Sequence, residues 1–144
     1  MPERRRIAAL ELIGRIRQHE IDDLGARMTA LREAQSRVQD QIAALDTQVD
    51  REGRVTSPEN AGYLASFLRA ARARRNRLSA QFAQLETEAA MIEADLLEAF
   101  RETKINDAVL DRARDSQKLH QNRIETTAAE EVARNAYLRR KAGG

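Results

Sequence analysis

The 144 residues contain no cysteine, which excludes a disulfide framework and any thiolate metal site and suits a cytosolic protein. Aromatic residues are scarce, two tyrosines and three phenylalanines. A two-layer globule of this length carries more large apolar side chains than that. The six glycines are scattered, so no glycine-rich loop is available to cradle a phosphate. No apolar run approaches the ~20 residues that cross a bilayer. Behind Arg4-Arg5-Arg6, Glu11 and Arg15 interrupt any signal-peptide core. Net charge is only +2 although the pI is about 9.4, because arginine, which stays protonated, is in slight excess. So mild an imbalance does not point to nucleic acid.

What is present is charge and helix-forming residues. A third of the chain is charged, and alanine and leucine are mixed with Arg, Glu and Gln. That mixture reads as long helix or coiled coil. Ile21, Leu24, Met28, Leu31, Gln35, Val38, Ile42, Leu45 and Val49 alternate three and four residues apart, the a/d seam of a left-handed coiled coil. Upstream, Gly14 and Arg17 fall on the extrapolated positions while Ile13 and Ile16 lie off them. A local phase shift is expected there.

A second seam runs through Leu64, Leu68, Ala71, Arg75, Leu78, Phe82, Leu85, Ala89, Ile92, Leu96 and Ala99, then turns mostly polar after about residue 100. Between the seams, Gly53 is a helix stop and Ser57-Pro58 reads as an N-cap followed by proline at the first helical position. The expected fold is all-α, a single domain over residues 1–144. It is a long antiparallel two-helix coiled-coil hairpin: a helix over about 3–52, a loop over about 53–57, and a longer helix over about 58–140. If Val49 packs near Leu64 and Leu45 near Leu68, Ile7 reaches only the region of Asn106. The first helix spans roughly 70 Å and the second roughly 120 Å at ~1.5 Å per residue. The stretch from Lys104 to Arg140 then overhangs as a lone helix or folds back at residues 104–107; the overhang is favoured because no Gly or Pro breaks it.

No catalytic constellation emerges, and a non-enzyme without cofactor or metal is expected. The hairpin keeps His19, facing the region of Ala94, away from His120. The adjacent carboxylates Asp22-Asp23 and Glu130-Glu131 diverge by about 100° on a helix, whereas acid/base pairs must converge in a pocket. Arg69, Arg72, Arg74, Arg75 and Arg77 form the densest basic cluster. They point several ways around the helix, so a solvated face is favoured over an anion patch. Tyr63 and Phe67 lie one turn apart just after the loop. An aromatic pair there is either a docking feature or an apolar cap on the turn.

The segment Gln121-Asn122-Arg123-Ile124-Glu125-Thr126-Thr127-Ala128-Ala129-Glu130-Glu131-Val132-Ala133-Arg134 resembles the C-terminal signature of the flagellar export protein FliJ family. That signature has an Arg and an acidic residue, then an acidic pair, then an apolar residue and Ala; here these are Arg123, Glu125, Glu130-Glu131, Val132 and Ala133. Thr126-Thr127 stand where the family usually has Gln-Lys. Tyr63, Phe67 and Leu68 fit the family's opening of the second helix, and Lys104 its basic residue before the final segment.

The resemblance implies a component of the flagellar type III export apparatus, cytoplasmic and peripheral at the inner face of the cell membrane. It implies a central-stalk-like coiled coil set in the export ATPase hexamer, which also contacts the export gate membrane protein and escorts export chaperones. The ATPase ring would be met by Arg123, Glu125, Glu130, Glu131, Val132, Ala133 and Arg134, and the gate by Tyr63, Phe67, Ala71 and Arg74. No small-molecule substrate is implied, nucleic acid is disfavoured, and the membrane is reached only through partners. The injectisome (YscO-like) stalk is a near relative in layout. The alternatives of another class are an Arg-rich coiled coil binding nucleic acid and a generic dimeric scaffold.

Overall fold

The computed structural model describes residues 2–54 and 58–143. They form α1 (Pro2–Gly53), a short 3-10 turn (Pro58–Asn60) and α2 (Ala61–Gly143), with no strand among the described residues. The fold is the expected all-α, antiparallel two-helix hairpin. Each helix fits its terminal charges to its dipole: Glu3 stands in the first turn of α1, Arg51 in its last, and Arg140 and Lys141 in the last turn of α2. Gly53 closes α1 as anticipated. Ser57, the expected cap, lies outside the described residues. Pro58 opens the 3-10 turn, so α2 starts three residues later than expected.

Contacts group the chain into two compact units, Glu20–Ala99 and Met1–His19 with Phe100–Gly144. Both helices contribute to each. In the turn unit, residues 20–99, Val38, Leu45, Ala71 and Leu78 are buried together, with Ile42, Val49, Phe82 and Leu85 against them. Leu31, Ala89 and Ile92 form a second cluster with Leu24, Met28, Leu85 and Leu96. Every member is a seam residue read from the sequence. The small residues matter as much as the leucines. Ala89 is 0% exposed, and an alanine at a seam position lets the facing knob reach the backbone. Filling such a close-packed site with a larger side chain forces strain of ~1–3 kcal/mol.

The register differs from the expected one. Arg75 reaches Asp46 and Glu86 reaches Gln35, so position 45 lies about two turns further along α2 than Leu68. The 3-10 turn and the first turns of α2 are used before that helix comes alongside α1. Near its start the seam also steps through Leu64, Phe67 and Ala71: Phe67 is half-buried while Leu68 is exposed.

In the terminal unit, Ile7, Leu10, Gly14 and Arg17 are the half-buried positions of α1 at seam spacing. The heptad therefore runs through in phase, and the expected phase shift does not occur. Ile13 and Ile16 are simply exposed. Opposite, Asn106, Leu110 and Ala113 are buried. The Asn106 amide donates to the Leu10 carbonyl at 3.1 Å, and a Cβ on Gly14 would sit 3.4 Å from the same nitrogen. Glycine at an inward position leaves room for a polar side chain from the facing helix. Pairing thus continues past Asn106, to Arg114 beside Glu11, and Gln117 is the last half-buried residue of α2. All of residues 118–143 are exposed helix. The overhang exists and is continuous helix, but it starts later than Lys104 because the register slides.

Candidate functional site

Lettering the heptad with Ile21 and Ala89 as a positions puts Arg32, Asp46 and Glu11 of α1, and Glu86 and Arg114 of α2, all at e. In an antiparallel pair the e positions of the two helices meet along one flank. In the turn unit, Gln35 sits in the seam and donates to Glu86 at 2.6 Å, while Arg32 donates to Gln35 at 2.6 Å and to Glu86 at 3.2 Å. The Gln35 hydrogen bond, aided by the Arg32 charge, holds the Glu86 carboxyl below its ordinary value against some desolvation. About three turns away, the Arg75 guanidinium leaves the seam and grips Asp46 with two nitrogens, at 2.8 and 3.2 Å. Asp46 is lowered by that hydrogen bond and Arg75 raised by it. These are structural pairs on an exposed flank. They arrange charge along that flank, and Asp46 and Arg75 also border a small open groove with Leu45, Val49, Leu68, Ala71 and Arg72. The sequence signal for them was a polar residue at an a position, which needs a partner at the facing e or a position.

The residues singled out for the gate lie at the start of α2. Tyr63 is 67% exposed, Phe67 is half-buried and Arg74 exposed. Ala71 is buried in the core against Leu45 and Leu78, so it faces α1 and offers a partner nothing directly. Within the neighbouring arginine cluster, Arg75 is committed to Asp46 and Arg69 donates to the Ala65 carbonyl. Two of the five arginines are thus engaged within the fold.

In the terminal unit, Arg123, Glu125, Glu130, Glu131, Val132, Ala133 and Arg134 are all exposed. Arg123 and Glu131 share a face with His120, Ile124, Thr127 and Ala128. Glu130 and Arg134 flank the adjacent groove with Thr127 and Glu131. Glu125 and Val132, seven residues apart, share another side of the helix. These residues therefore spread around the helix and do not share one edge.

No family model, curated protein or solved structure matches this chain. Its chemistry has to be read from its own residues. Among the described residues no group of histidines and carboxylates could hold a metal ion. No helix among them is long and apolar enough to cross a membrane. His19 lies two residues from Arg17, which pairs with Glu102 at 2.6 Å. It therefore sits level with the start of the terminal unit's α2 segment, further along than Ala94.

Proposed function

We propose that this chain is a non-catalytic stalk and escort component of a flagellar type III protein export apparatus. Its exposed α2 segment engages the export ATPase ring, and the start of α2 meets the export gate. The observation that carries this reading is the run of residues 118–143, helical yet exposed throughout. A lone helix is only marginally stable in water. Twenty-six residues of it, holding Leu119, Ile124, Val132, Tyr137 and Leu138 exposed, favour a partner that covers them. The same run holds the FliJ-like residues Arg123, Glu125 and Glu130 to Arg134. At the other end, Tyr63, Phe67 and Arg74 supply an aromatic and a cation for the gate, and export chaperones are the remaining cargo of the family's role. The reading places the protein in the cytoplasm, at the membrane only through its partners.

The test is a pull-down and ATPase assay with the cognate export ATPase. The full chain is expected to bind and to raise hexamer activity. A chain ending at Gln117, which keeps the paired helices, is expected to lose both. Undiminished binding by that shortened chain sinks the ring-insertion reading.

A further inference from the structure

The two units are held by different means. Both apolar clusters described above belong to the turn unit, where α1 buries Ile21, Leu31, Gln35, Val38 and Leu45. From residue 2 to residue 19 no position of α1 is buried, and the seam residues Ile7, Leu10, Gly14 and Arg17 reach only half-burial. Gly14 against Asn106 sets the layers on either side. One heptad back along α1 and one on along α2, Ile7 faces Ala113, and between them Leu10 faces Leu110. Towards the turn, Arg17 and Thr103 share the next layer, with Arg17 reaching Glu102. Two successive layers of this seam are thus polar. Thr103 buries a hydroxyl with no partner among the described residues, and an interior glycine such as Gly14 weakens a helix. The ion pairs of Arg17 with Glu102 and of Arg114 with Glu11 are partly exposed to water, where such pairs contribute little.

We infer that residues 2–19 of α1 form a detachable flap, which leaves α2 as one cooperative piece while the turn unit stays folded. Local stability follows buried apolar contact, and segments with little of it open well below the global cost. The polar layers mark where the flap ends. On their turn side Ile21 faces Ala99, and both are buried. Opening bares Asn106, Leu110 and Ala113, which are buried while the flap is shut. The same face of α2 already runs on bare through Ile124 and Leu138, at the a positions. With the flap shut, the exposed length of α2 is residues 118–143; with it open, the bare face begins at Thr103. The flap therefore sets how much of α2 a partner can reach. Apolar layers would hold that face shut, whereas Gly14, Arg17, Thr103 and Asn106 let it open at low cost.

Amide hydrogen exchange of the full chain separates a flap from ordinary end fraying. Residues 7–17 are expected to exchange through one shared opening, about tenfold or more faster than residues 31–45. Fraying instead gives a gradient, fastest near Pro2 and slowing towards Ile21. Thr103→Val with Asn106→Leu refills the seam with apolar atoms in the room that Gly14 leaves. That variant is expected to slow exchange of residues 7–17 about tenfold while residues 31–45, which share no partner with it, stay unchanged. Because the chain has no cysteine, Ile7→Cys with Ala113→Cys gives a disulfide lock specific to the flap. Oxidised, it is expected to protect residues 10–17 of α1 and 103–110 of α2 together; reduced, to leave both as in the parent. Equal protection of residues 7–17 and 31–45, a fraying gradient, a refilled seam that leaves the flap's exchange unchanged, or a lock that protects neither helix overturns the proposal. All these readouts use the free chain, so their failure leaves the ATPase reading standing, and loss of that reading leaves the flap.

Discussion

At the scale of single residues, a few polar side chains sit where a coiled coil wants apolar ones, and each has a different fate. Gln35 and Asn106 are buried and hydrogen-bonded. Thr103 is the exception: its Oγ1 is buried with no hydrogen-bond partner among the described residues. An orphaned buried hydroxyl costs about 1–3 kcal/mol, and valine keeps its shape without the polar atom. Thr103→Val is therefore expected to stabilise the chain by about 1 kcal/mol, read as a rise in the thermal midpoint of helicity of several degrees. A fall would mean the hydroxyl is satisfied. The acidic pairs set the pH dependence. Asp46 and Glu86 are both held below their ordinary values of 3.8 and 4.5. A carboxyl depressed in the folded state contributes stability that is full above its unfolded pKa and is lost as the pH falls through the lowered value. Thermal midpoints should hold level near neutrality and decline as the pH drops below the ordinary carboxylate range. Glu86→Gln should flatten part of that decline. The effect is small because both groups are exposed and screened.

At the scale of the helices, the layer of Arg32, Gln35 and Glu86 lies between the two apolar clusters of the turn unit, which stay joined through Leu85. A polar residue at an a position fixes register and partner number at a cost in stability. Gln35→Leu is expected to raise the thermal midpoint while admitting other registers or oligomers, seen as heterogeneous sedimentation. A more stable and still homogeneous product would remove that role from Gln35. The seams themselves were legible in the sequence, because a 3-4 spacing of apolar residues is set by helix geometry and little else. Register was not, since it depends on how many residues the turn consumes. That is fixed by the 3-10 turn and the first turns of α2, which carry no strong apolar signal. The terminal unit misled for a related reason. Ile13 and Ile16 look like displaced core residues, whereas Gly14 holds the inward position to admit Asn106. A hydrophobicity pattern cannot announce that an apolar side chain belongs to an outer face.

At the scale of the whole chain, the fold class and the presence of an exposed, continuous C-terminal helix were readable from composition and period, while the start of that helix depended on the register. The FliJ-like residues could be located in sequence, yet their spread around the helix only became apparent with coordinates. This exposed segment differs from the paired helices in what protects it. Lys118, Arg123, Arg134, Arg139, Arg140 and Lys141 are all exposed on it, whereas Arg32 and Arg75 are tied into ion pairs between helices. Limited trypsin treatment is expected to cut between Lys118 and Lys141 well before it cuts at Arg32 or Arg75. Equal rates at both would show the segment is protected in the free chain.

The bare helix beyond Gln117 also has a consequence for turnover. Local opening there needs no core to come apart, so the uncovered segment is the first place a protease can cut. On the proposed function, enclosure by the ATPase ring would shield it, and chains without a place in a ring would be the first to be cleared.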